Sequence, residues 1–121
     1  MKRFISILGF LLRTLRALGL NRKEREDFTK FYIPRMNSAS YYRISFLDRQ
    51  LVDVVAPLRI APKPDHVIRV YMDLRPLEKA AQVVAPILPA TPARGGFTVV
   101  DWCGLFRGTT DANVKRRLAA K

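Results

Sequence analysis

Few residues in this chain have types that could do chemistry. His66 and Cys103 are its single histidine and single cysteine. Together they are the one candidate for a nucleophilic pair, the imidazole drawing the thiol proton and Asp65 or Asp101 orienting the ring. Such a pair works only within hydrogen-bond reach, and nothing in the sequence brings residues 66 and 103 together. His66 follows the turn Pro62-Lys63-Pro64-Asp65 and reads as an exposed residue where a strand begins. Cys103, directly after Trp102, reads as small apolar filler. One histidine and one cysteine also exclude a metal site built from several His or Cys ligands, and a lone cysteine excludes an internal disulfide.

The carboxylates suggest no acid–base pair. Glu24, Glu26 and Asp27 gather at a helix start, where negative charge meets the positive end of the helix dipole. There is no phosphate-binding loop, dinucleotide-binding glycine pattern or nucleophile elbow. The expectation is a non-enzyme with no catalytic residues, no cofactor and no metal. Tyr41, Tyr42 and Arg43, with Arg35 and Arg69, could form an aromatic-basic platform for single-stranded nucleic acid. Adjacent strand residues point to opposite faces, so at most one of the two tyrosines could serve it.

These side chains depend on the elements that position them. Residues 4–18 place Phe4, Ile7, Leu8, Leu11, Leu12, Leu15 and Leu18 on a wide apolar helical surface. Lys2, Ser6, Gly9, Arg13 and Arg16 form a narrow stripe opposite. Gly19 caps this helix, and Asn21 with Glu24 predicts a capping box for the next one. Phe28, Phe31 and Tyr32 share its apolar face, and Pro34 ends it. Residues 41–46 alternate as a strand with Tyr42, Ile44 and Phe46 inward. Asp48 caps a short helix through Val55, with Leu51, Val52 and Val55 on its buried side. Residues 67–74 form the clearest strand, with Ile68, Val70, Met72 and Leu74 inward. Residues 76–84 permit a short helix, 85–96 an extended surface crossing, and 97–102 a last strand.

The chain has 121 residues, enough for one core, and 22 Lys+Arg against 10 Asp+Glu give a net charge of +12. That surplus raises polyanion partners, either nucleic acid or an anionic membrane surface. The first twenty residues open like a secretion signal but lack a small-x-small cleavage site, and Arg13 and Arg16 interrupt the apolar run. A helix packed into the core, a helix lying on a membrane and a weak signal are the three readings of this segment. Cytoplasmic and membrane-associated locations are favoured, with secretion open.

The runs Leu18-Gly19-Leu20-Asn21-Arg22-Lys23-Glu24-Arg25-Glu26-Asp27-Phe28 and Phe31-Tyr32-Ile33-Pro34-Arg35-Met36 resemble the later half of a group of uncharacterised bacterial and fungal proteins. Further blocks of similarity are Tyr41 to Phe46, Ala56-Pro57-Leu58, Pro62 to Val70, and Gly96 to Trp102, covering about residues 14–104. The first half of those proteins carries a Lys-Pro-Val-Ile-Tyr-Leu-Tyr-Pro-like segment that this chain lacks. Where they read Glu-Trp-Gly-Gly, this chain has Asp101-Trp102-Cys103-Gly104. The resemblance implies no activity. It implies that Leu12 to Leu20 is a packed helix of the domain, and that an apolar surface is left bare where the other half would sit.

The expected fold is therefore a small α+β domain, with amino-terminal helices packed on a short, mostly antiparallel sheet of about three to four strands. Its parts are a basic amphipathic helix (1–20), the α+β body (21–107) and a basic tail (108–121). Candidate interaction residues are Lys2, Arg3, Arg13, Arg16, Tyr41 and Trp102. The expected partner is another protein or a second copy, with nucleic acid and an anionic membrane surface as alternatives.

Overall fold

In the computed structural model of the chain, residues 2–79, 88 and 90–107 are described, residues 2–6 by backbone alone. Helix α1 (Lys2–Ala17) buries Leu11 and Leu15 and leaves Arg13 and Arg16 in solvent. Its end is a Schellman turn: Gly19 N–H donates to Arg16 O, and Leu20 N–H donates to Leu15 O. The turn needs a left-handed residue, and Gly19 supplies it at φ 108°. Helix α2 (Arg22–Tyr32) begins with the expected capping box, Glu24 N–H donating to Asn21 Oδ1 and Asn21 N–H to Glu24 Oε1. Phe28 and Tyr32, one turn apart, go inward. A 3-10 turn (Ile33–Arg35) around Pro34 closes the helix.

Strands β1 (Tyr41–Phe46), β2 (His66–Leu77) and β3 (Thr98–Phe106) form one sheet in the order β1-β2-β3. The fold is the expected α+β class. Its sheet is mixed: β1 runs antiparallel to β2, from Tyr41 opposite Leu77 to Phe46 opposite Met72. β3 runs parallel to β2, from His66 opposite Thr98 to Leu74 opposite Phe106. A parallel neighbour requires a long connection back to the same end of the sheet. Residues 78–97 connect the two strands in sequence, and among the described ones Arg94 donates to Gly19 O in the turn between α1 and α2 and pairs with Glu24 of α2.

Both α1 and α2 cover one face. Ile68, Val70, Met72 and Leu74 of β2 meet Leu11, Leu15, Leu20, Phe28, Tyr32 and Met36 there. Each fully buried apolar side chain contributes about 1.5–3 kcal/mol, so this layer is the main source of stability. Helix α3 (Arg49–Val55) buries Val52 alone; Leu51 and Val55, expected on its inner side, are exposed, as is Val54 at 78%. The helix is only seven residues long, and it turns Asp53 toward the sheet as well as Val52. Asp48 takes the extended backbone of an N-cap, but its side chain makes no capping bond.

Two boundaries differ from the sequence reading. β2 runs through Pro76 and Leu77, where a helix was expected to begin, because β1 pairs with it up to that point. The rest of that expected helix falls largely outside the described residues, as does the expected tail 108–121. β3 continues four residues past Trp102, held by the parallel ladder to Phe106.

Candidate interaction surface

Strand β3 has a partner strand on one side only among the described residues. Phe97 O accepts from the amides of Asp65, just before β2, and of His66, and Arg107 N–H donates to Leu74 O. In a parallel pair, backbone groups alternate in direction along the strand. Odd-numbered residues of β3 therefore bond to β2, and Thr98, Val100, Trp102, Gly104 and Phe106 turn N–H and C=O toward the outer edge. No residue of β3 is buried, whereas β2 buries Ile68 to Val70, Met72 and Leu74. The strand contains no proline or lysine, two of the residues that commonly blunt an edge.

Aromatic side chains line the helix side of that edge. Phe28 packs on Tyr32 with ring centroids 4.8 Å apart and on Trp102 at 5.2 Å. Phe31 meets Tyr32 at 4.8 Å and Trp102 at 6.3 Å, both edge-on, and Tyr32 reaches Phe106 at 6.3 Å. Edge-on and tilted rings at these spacings are favourable beyond the area they bury. The inner members are buried, yet Phe31 is 43% and Phe106 38% exposed. The Arg35 guanidinium lies 3.7 Å from the centre of the Phe31 ring, adding a cation to the aromatic surface.

Gly104 makes this arrangement possible. A side chain there would overlap the Tyr32 ring, which lies against the backbone. Burial pushes the Tyr32 hydroxyl above its ordinary value; the adjacent Cys103 thiol adds to the rise, and the Gly104 amide pulls against it. Tyr32 thus shields one position of an edge otherwise open among the described residues.

The opposite face of the sheet holds a charge cluster that alternation alone does not reveal. Arg69, expected to point outward, has a side chain only 2% exposed. Its Nη1 donates to Asp53 of α3 at 3.0 Å, its Nε to Asp101 of β3 at 3.1 Å, and its Nη2 to the Tyr71 hydroxyl at 3.2 Å. Tyr71 donates to Asp101 at 3.0 Å. Burial works against the charge on Arg69, but bonds to Asp53, Asp101 and Tyr71 outweigh it and hold the guanidinium above its ordinary value. Arg49, then Arg69, hold Asp53 below the ordinary aspartate range. The register pairs Arg69 with Asp101, so a basic residue in β2 and an acidic one in β3 could have signalled this bridge, had the pairing been known.

The structure does not gather the sequence-predicted residues into one site. Lys2 and Arg3 lie in the part of α1 described by backbone alone, and Arg13 and Arg16 are exposed further along it. Tyr41 is opposite Leu77 on β1, and Trp102 is opposite Val70 on β3, so the two belong to opposite edges of the sheet. Tyr42 and Tyr41 face opposite ways, and the Tyr42 hydroxyl accepts from the Ser38 amide at 2.8 Å. His66 is opposite Thr98 and Cys103 opposite Tyr71. Five residues of strand, roughly 16 Å, and opposite side-chain parity separate the pair. Of the six candidates, Trp102 alone lies in the aromatic surface; Phe31 and Phe106 belong to it and were not foreseen, and Arg35, considered for a platform with Tyr41 and Tyr42, lies over Phe31 instead.

An open cleft of ≈ 610 Å³ lies where β2 extends past the end of β1, lined by Leu18, Phe46, Arg49, Val67, Arg69 and Pro92 among others. Its two arginines are engaged within the chain: Arg49 donates to Val67 O and bonds Asp53, and Arg69 is held as described. Compared with protein-family models, with curated proteins and with solved structures, the chain matches none.

Proposed function

We propose that this chain is a non-enzymatic docking domain that binds another protein, or a second copy of itself, through the outer edge of β3 and the aromatic surface beside it. One observation carries this reading: a nine-residue edge strand with no buried residue adjoins the exposed rings of Phe31 and Phe106. An open edge next to bare apolar surface is the usual combination where chains associate. The chemistry-bearing residues support the same reading, since His66 and Cys103 are far apart and the Arg69 cluster is internally satisfied.

The test is fluorescence of a hydrophobic dye with light scattering, on the full chain and on the double variant Phe31→Glu, Phe106→Lys. The chain binds the dye, and the variant, with unchanged far-ultraviolet circular dichroism, binds it several-fold less. A strict monomer that leaves the dye dark contradicts the proposal.

A second reading, polyanion binding, is favoured by the charge of +12 alone. It predicts nucleic-acid or anionic-vesicle binding that weakens steeply with salt. In α1, insertion into lipid would have to expose Leu11 and Leu15, which are core residues.

A further inference from the structure

Building on the docking reading, we infer that the occupant of the β3 edge is an extended, acidic segment of another protein, added as a fourth strand beside β3. The outward groups of Thr98, Val100, Trp102 and Phe106 are what a strand can pair with, the Gly104 position being covered by Tyr32, and side chains on alternate positions of that strand meet Phe31, Trp102 and Phe106. The aromatic surface selects apolar residues at every second position.

The net charge of +12 selects an acidic segment over a neutral or basic one. The chain's own carboxylates are largely consumed internally. Glu26 and Asp27 pair with Arg22 and Lys23 along α2, and Glu24 with Arg94. Asp53 and Asp101 hold Arg69, and Asp73 holds Arg107. What remains is cationic, and beside the edge it includes the exposed Arg35 guanidinium over Phe31. A second copy would bring another chain of net charge +12, and the two surpluses would repel. An acidic strand is attracted from a distance and pairs on arrival. The exposed backbone favours a peptide over single-stranded nucleic acid, which would stack on the rings but leave the strand's N–H and C=O groups unmatched.

The experiment uses the full chain and a fluorescent peptide of about ten residues alternating valine or isoleucine with glutamate, long enough to lie along β3. Fluorescence anisotropy compares it with the same peptide N-methylated on alternate residues, with a lysine-for-glutamate peptide, and with an oligothymidylate competitor. The expected result is saturable binding of the parent peptide that N-methylation, lysine replacement and Phe31→Glu each weaken by about tenfold or more. Phe106→Lys should act in the same direction, so the result does not depend on one variant folding. Equal binding of the N-methylated peptide overturns strand addition and leaves apolar docking standing. Stronger displacement by oligothymidylate overturns it in favour of nucleic acid, and a dimer dispersed by Phe106→Lys overturns it in favour of a second copy. If no peptide binds while the dye still reports Phe31 and Phe106, strand addition fails alone. If the dye is dark too, the docking reading fails with it.

Discussion

Arg69 is a charge taken out of water and held by two carboxylates from different elements, Asp53 of α3 and Asp101 of β3. Removing one partner of a buried ion leaves desolvation without its compensation. Asp101→Ala should therefore destabilise the fold by about 2–4 kcal/mol in urea unfolding. Asp53→Ala should cost less, because that carboxylate is 49% exposed and Asp101 remains on the guanidinium. Equal effects would mean that both carboxylates contribute alike. Glu24 gives a pH signature. Its bond to Arg94, which lies across from α2, is the largest cause holding its carboxyl below the ordinary 4.5, and the Asn21 amide adds to it. A carboxyl with a depressed folded value contributes stability above its unfolded value and loses it as pH falls through the folded value. The melting temperature should thus drop as pH falls below about 4.5, and Glu24→Gln should flatten that part of the curve. At neutral pH the substitution should cost about 1 kcal/mol, from the cap and the ion pair together.

At the scale of elements, the glycines at two junctions are the sharpest tests. Gly19→Ala must hold a left-handed backbone and meet Pro92 Cδ at 3.1 Å and Ile68 Cδ1 at 3.2 Å, so roughly 1–2 kcal/mol should be lost in thermal unfolding. Gly104→Ala should cost about 1–3 kcal/mol and displace the Tyr32 ring, visible as a change in its aromatic NMR shifts. Much of this architecture could be read from residue patterns. The Asn21–Glu24 box, the Gly19 cap and the inward set of β2 are local signals, set by spacing within a few residues. What could not be read depends on pairing across the chain. The parallel register of β3, its extension to Phe106 and the burial of Arg69 all follow from which strand lies beside which. Phe31 shows the same limit. Helical spacing places it with Phe28 and Tyr32, yet it sits at the rim because α2 lies over an edge strand with no further strand beyond it among the described residues. The candidate site, apart from Trp102, was therefore hidden in sequence.

For the whole molecule, a net charge of +12 on 121 residues keeps copies apart at low salt and attracts acidic chains. Binding through β3 should weaken as salt rises, but less steeply than nucleic-acid binding, because apolar contact and strand pairing carry part of it. The central claim, that the outer edge of β3 is open in the free chain, is tested most directly by residue-resolved amide hydrogen exchange. With that edge open, exchange is slow at Val99, Asp101, Cys103 and Leu105, whose amides face β2, and fast at Val100, Trp102 and Phe106. Uniformly slow exchange along β3 in a monomer would contradict it, because the edge would then already be covered by the chain itself.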